Sequence, residues 1–278
     1  MPHTYTNDIV TFYEDTGEGP VVVLIHGHSL DLRMWKYQVG PLVDIGYRVV
    51  RYDVRGHGRS MVPPSGYTSD NYSRDLADLL DRLNVERPAE EELAIERAHV
   101  VGHSMGGGIA LKFALDHPER VLSLTLVDST LPGFTYSEEF SNGIAELREA
   151  VRSEGVRAAF DRLWLAHPLF DGLRLNPERF AEAAEMVTGF QAAEYREGSE
   201  TPGYVQPDLA ARLAEVAART LVVVGEGDLP DFGLIADLLE ANIPSARKVV
   251  LKGCGHVSPM EDPKAFNRVL MEFLASAQ

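Results

Sequence analysis

Short runs of β-branched and aliphatic residues alternate along this chain with stretches whose apolar positions recur every three or four residues. The runs suit strands buried on both faces and the spaced stretches suit helices that cover a sheet, so the alternation predicts a mostly parallel, doubly wound α/β fold. Ile9–Glu14 reads as an early strand, followed by a turn-rich segment from Asp15 to Pro20. Val21–Ile25 and Tyr47–Asp53 read as further strands, with a helix between them from Trp35 to Asp44. In Asn71–Leu83 the residues Leu76, Leu79, Leu80 and Leu83 fall on one helix face. The run Val100-Val101-Gly102 leads through Ser104 into a helical pattern from Gly107 to Leu115, and Val121–Val127 makes another strand that ends at Asp128.

There the alternation stops. From Leu131 to Val216 no β-branched run occurs, and Ala, Glu, Arg and aromatic residues take helical spacing. Strands resume at Thr220–Val224 and Arg247–Leu251, and Pro263–Ala275 closes the chain as a helix. The reading is one α/β core, residues 1–130 and 217–278, interrupted by a helical cap at 131–216. The charged excursion Arg87–Arg97 is expected to be a solvated loop or short helix before the strand that carries Ser104.

At 278 residues, 45% of them hydrophobic, the chain is long enough for one α/β domain with an insertion. Its formal charge of −16 repels phosphate backbones and anionic membrane surfaces, which argues against nucleic-acid or membrane partners. The early residues combine no basic start with a long apolar run, so neither a signal peptide nor a membrane span is expected. The single cysteine, Cys254, excludes an intrachain disulfide and a cysteine metal cluster and suits a reducing cytoplasm. It is read as a small buried residue and not as a redox switch.

The chemistry gathers where the strands end. Gly102-His103-Ser104-Met105-Gly106 places a serine on a sharp strand-to-helix turn, with glycines where a Cβ would collide with the neighbouring elements. Serine needs a base, and His256 in the glycine-rich loop after the last strand is the candidate. The base needs a carboxylate to fix its tautomer. Asp228, after the strand at Thr220–Val224, gives the chain order Ser, Asp, His, with Asp128, Asp231 and Glu226 as competing acids. An oxyanion requires backbone N–H donors. Met105 follows from the turn itself, and His28 in the loop His26-Gly27-His28-Ser29 is the second choice, with His26 holding that loop by hydrogen bonds. A zinc set drawn from His26, His28, His57 and His103 competes weakly, since it lacks helical i, i+4 spacing and a cysteine cluster.

Together these residues resemble the α/β-hydrolase superfamily over nearly the whole chain: His26-Gly27, the run Tyr52–Ser60, the turn at Ser104, Asp228 and His256. In that family the Asp53–Ser60 segment braces the oxyanion loop, which implies scaffold roles for Asp53, Arg55 and His57. A serine at the turn, where dehalogenases and epoxide hydrolases carry aspartate, sets the chain apart from them. His103 before the nucleophile and Val257 after the base differ from the asparagine and tryptophan common in carbon–carbon bond hydrolases of aromatic degradation. The loop at His26–Ser29 also departs from that of proline iminopeptidases. The remaining resemblance is to carboxylesterases and 3-oxoadipate-type enol-lactone hydrolases. It implies acyl transfer from a small ester or lactone to water, with no cofactor or metal. Alternatives on this scaffold are a slow or non-turnover ligand receptor, a carbon–carbon bond hydrolase, and a cofactor-free oxygenase or perhydrolase. Specificity is expected from the cap, with Phe134 and Trp164 as candidate substrate contacts.

Overall fold

The computed structural model describes residues 3–86, 96–196, 198–199 and 201–276. Most of the Arg87–Arg97 excursion, residues 87–95, lies outside them. Eight strands form one sheet: β1 (His3–Thr6), β2 (Ile9–Thr16), β3 (Val21–Ile25), β4 (Arg48–Tyr52), β5 (Ala98–His103), β6 (Val121–Val127), β7 (Arg219–Gly225) and β8 (Ala246–Leu251). Their spatial order is β1-β2-β4-β3-β5-β6-β7-β8. β1 and β2 pair antiparallel as a hairpin that joins β4, and every pair from β4 to β8 is parallel. The all-apolar β3 and the chemically mixed β5 are buried at every position, as central parallel strands must be. β1 was not anticipated from the sequence, because a strand of four residues leaves too short a pattern to read.

Helices α1 (Lys36–Asp44), α2 (Ser69–Glu86) and α3 (Met105–Asp116) flank the sheet on its N-terminal half. The leucine stripe of α2 is buried as its spacing predicts: Leu76, Leu79, Leu80 and Leu83 are at most 2% exposed. Between β6 and β7 the described chain contains no strand. It holds α4 (Glu138–Glu154), α5 (Val156–Ala159), a π-helical turn at Phe160–Trp164, α6 (Asp171–Arg174), α7 (Pro177–Gly189) and short 3-10 turns. After β7 come α8 (Pro230–Asn242), then α9 (Ser258–Glu261) and α10 (Pro263–Ala275) beyond β8. No helix among the described residues is long and apolar enough to cross a membrane.

The parallel strands all point the same way, so the loops after β3, β5, β6, β7 and β8 collect at one edge of the sheet. Open α/β sheets place their ligand crevices at this edge.

Candidate active site

β5 runs directly into α3, and Ser104 is the only residue between them. Its backbone sits at φ 51° and ψ −117°, a region that L-residues seldom occupy. Its N–H donates to the Val127 carbonyl at 2.9 Å, which anchors the strained turn to β6. The flanking glycines are required by space. A Cβ on Gly102 would strike the backbone of Gly106 and Gly107, and one on Gly106 would strike the carbonyls of Ile25 and His26. The serine side chain is thereby turned away from the sheet, at the N-terminus of α3 with its positive dipole end.

His256 stands 3.0 Å away, measured from Nε2 to Ser104 Oγ, and its Nδ1 lies 2.9 Å from Asp228 Oδ2. With the Nδ1 proton donated to the carboxylate, Nε2 presents its lone pair to the hydroxyl. Both side chains are buried, at 6% and 2% exposure, so water competes little for these bonds. The loops are locked together: Gly227 N–H donates to the Cys254 carbonyl at 2.8 Å, and Gly225 passes so close to Cys254 and Gly255 that no Cβ fits. The competing acids are engaged elsewhere. Asp128 accepts from Gly225 N–H and from the Ser258 hydroxyl, Asp231 accepts from the backbone and hydroxyl of Ser137, and Glu226 accepts from Gly253 N–H.

Two supports of this relay have no motif in the sequence. His103 donates from Nε2 to the His256 carbonyl at 2.8 Å, and burial, reinforced by nearby His256, pulls its pKa down to about 3, so it stays neutral. Glu261 accepts from Val257 N–H at 2.9 Å and from Gly255 N–H, clamping the loop on either side of His256. Burial raises the Glu261 pKa despite these bonds. Its place three residues past Ser258, in a helix of only four residues, gives no cue that it reaches back.

The loop after β3 lies against the serine turn. A Cβ on Gly27 would come within 3.2 Å of Ser104 Cβ and 2.5 Å of His103 Nδ1, so only glycine allows this approach. His26 uses both ring nitrogens on backbone: Nδ1 donates to the Gly27 carbonyl at 2.8 Å and Nε2 accepts from Val54 N–H at 2.9 Å. Asp53 accepts from Leu32 and Arg59 N–H groups, and Arg55 forms a buried pair with Asp75. These contacts fix the loop as a scaffold. The backbone N–H groups of His28 and Met105 donate to no acceptor among the described residues. Both residues line the cavity that contains Ser104.

That cavity has a volume of about 110 Å³ and a mostly apolar wall, which includes Leu30, Phe140, Ile144, Trp164, Leu169 and Phe232. Trp164 lines it and donates its indole N–H to Ser29 Oγ at 2.6 Å, tying the β6–β7 segment to the loop after β3. Phe134 does not line it, which corrects the expectation from sequence. The chain turns there, with Phe134 N–H bonded to the Leu131 carbonyl, and the ring packs edge-on against Tyr136 at 5.1 Å. Phe140, an aromatic residue of the insertion, reaches the wall from α4, whereas Phe232, which sequence reasoning missed, comes from α8, where its position looks like ordinary helix core. Among the described residues no group of three or more His, Cys, Asp or Glu side chains is arranged to hold a metal ion. Cys254 is buried, and that burial pushes its thiol up to about 12.

A parallel sheet with its serine turn at the β5–α3 junction, faced by a histidine from the last strand's loop, defines a hydrolase-type α/β protein. The chain belongs to the alpha/beta hydrolase fold family, whose profile matches residues 20–263. It is 33% identical over 95% of its length to the dihydrolipoyllysine-residue acetyltransferase component of the acetoin cleaving system of Cupriavidus necator, and spans 66% of that longer protein. It is 32% identical to the 2-hydroxy-6-oxononadienedioate/2-hydroxy-6-oxononatrienedioate hydrolase of Comamonas testosteroni, over 94% of this chain and 90% of that one. Among solved structures it is similar to the enol-lactonase of Burkholderia xenovorans LB400, with a TM-score of 0.81 and 26% identity over 99% of this chain and all of the other.

Proposed function

We propose that the protein is a serine hydrolase of small carboxylic esters or lactones. The observation that carries this reading is the continuous Asp228–His256–Ser104 hydrogen-bond relay, which ends in an apolar cavity bordered by two unengaged backbone N–H groups. In this reading residues 131–216 act as a cap over a core of 1–130 and 217–278.

His256 Nε2 removes the Ser104 proton as Oγ bonds to the substrate carbonyl carbon. The carbonyl electrons move onto oxygen, and the N–H groups of His28 and Met105 stabilise the resulting oxyanion. When the carbon–oxygen bond to the leaving group breaks, the imidazolium returns its proton to the departing alkoxide. A water molecule then loses a proton to His256 and attacks the acyl-enzyme, and Ser104 regains its proton as the acid departs. Asp228 holds the imidazole tautomer and stabilises its cationic form throughout.

The similarity to dienedioate hydrolases favours a second reading, cleavage of a carbon–carbon bond beside a ketone. His103 and Val257 stand where the notable asparagine and tryptophan of such enzymes would be, which weighs toward the ester. A fluorophosphonate is expected to add covalently to Ser104, read as a mass shift on its peptide, and p-nitrophenyl acetate and simple lactones are expected to be hydrolysed. Ser104→Ala should abolish both. An unlabelled Ser104 with no Ser104-dependent ester or lactone cleavage would sink the proposal, and turnover of a 2-hydroxy-6-oxo-dienoate alone would establish the second reading.

A further inference from the structure

Beyond His28, Met105 and Tyr195, which it shares with the Ser104 cavity, lies a second cavity of about 410 Å³. Its wall carries Tyr67, Tyr72, Tyr204 and the carboxylate of Glu194. Glu194 Oε1 lies 3.2 Å from His28 Nε2, whereas Oε2 is buried and receives no hydrogen bond from any described group. Thr201 Oγ1, on the same wall, is also buried and bonded to no described group. Burial works to raise the Glu194 pKa, yet the contact with His28 more than offsets it, so the group is held below the usual carboxylate range and is ionised. The Glu194 carboxylate puts a negative charge on this wall, and the tyrosine rings add aromatic surface of the kind that attracts cations.

We propose that this second cavity is an ammonium subsite, and that the substrate carries a quaternary or protonated amine on the limb remote from its reacting carbonyl. The two cavities share His28, Met105 and Tyr195 as walls, and in this proposal one molecule extends from Ser104 past this boundary to Glu194. Arg148 is the opposing charge on the wall. It is exposed, however, where solvent and salt screen it, while the Glu194 side chain is only 18% exposed. Its guanidinium also lies 5.6 Å from the centre of the Tyr195 ring, which shows that a cation is accommodated against this aromatic wall. The formal charge of −16 adds a long-range field that draws cationic substrates toward the protein and repels dicarboxylates.

The substrate part of this inference rests on the ester-hydrolase reading, and the subsite itself does not. Two isosteric pairs test the first: acetylcholine against 3,3-dimethylbutyl acetate, and p-nitrophenyl 4-(trimethylammonio)butanoate against p-nitrophenyl 5,5-dimethylhexanoate. In at least one pair the cationic member is expected to have a kcat/KM about tenfold or more above its neutral isostere, with Glu194→Gln lowering that ratio about tenfold. Calorimetry with tetramethylammonium chloride tests the subsite without turnover. Saturable binding to the wild-type chain is expected, weakened about tenfold by Glu194→Gln. Absence of tetramethylammonium binding together with equal kcat/KM in both pairs would overturn the proposal, as would a preference that Glu194→Gln leaves unchanged. Tetramethylammonium binding with no ester turnover would retain the subsite and remove the hydrolase reading, while turnover of neutral esters with no ammonium preference or binding would do the reverse.

Discussion

Behind the candidate base, Asp128 and Asp228 lie near each other in a buried region, and their partners give them different work. Asp228 bonds to His256 Nδ1, whereas Asp128 bonds to Gly225 N–H and the Ser258 hydroxyl. Burial, with the neighbouring Asp228 charge, raises the Asp128 pKa well above the usual carboxylate range, against the two hydrogen bonds it accepts, and Asp128 serves as a brace between the loops. Asp228→Asn is therefore expected to lower kcat by about 10³–10⁴-fold, because an amide favours the wrong imidazole tautomer. Asp128→Asn keeps the shape and should stay within about tenfold of wild type, since the amide can still accept from Gly225 and meet Ser258. Steady-state kinetics on both variants checks the assignment, and a larger loss in Asp128→Asn would reverse it. In the sequence these two acids, with Asp231 and Glu226, were all plausible strand-end carboxylates. Only the folded loops show which one meets the histidine.

Among the elements, the loop after β3 is the meeting point. It touches the serine turn through Gly27, the β6–β7 segment through the Ser29–Trp164 bond, and Glu194 and Tyr195 through the His28 ring. Trp164→Phe keeps an aromatic wall and removes the indole donor, leaving the buried Ser29 hydroxyl without it. We expect a loss of about 1 kcal/mol in urea unfolding and a larger change in KM than in kcat, because substrate enclosure is altered while the relay is untouched. An equal fall in kcat and kcat/KM would show instead that this bond positions the oxyanion donors. Helical spacing marked Trp164 and Phe134 alike as apolar. It carried no information on which would face Ser104, since that depends on how the segment between β6 and β7 packs in three dimensions.

At the scale of the molecule, buried histidines govern acid stability. His57 and His103 are pulled down to about 3 and His99 to about 4, in each case first by burial. In the unfolded chain each returns to about 6.5, so unfolding takes up protons below that pH. The stability they permit is full above about pH 6.5 and is lost as pH falls toward their folded values, by about 2 kcal/mol per histidine at pH 5. The raised carboxylates Asp53, Asp75, Asp128 and Glu261 have the opposite sign, while His26 and His167, also lowered by burial, act in the same direction as the three histidines. Urea unfolding should therefore show lower stability at pH 5 than at pH 7, and His57→Gln should reduce that difference by roughly one histidine's share, about 2 kcal/mol. An unchanged pH dependence in His57→Gln would refute this account.

By itself the sequence determined the alternating strands and helices, the interruption between β6 and β7, and the serine turn, because periodicity and steric need for glycine are local properties. It also placed Asp228 and His256 at strand ends, where a parallel sheet gathers its loops. Tertiary structure decided the rest. The clamp by Glu261, the brace by His103, the walls from α4 and α8, and the second cavity with Glu194 all join residues far apart in the chain. Hydrogen bonds and desolvation act over a few ångströms in space, so no spacing along the sequence records them.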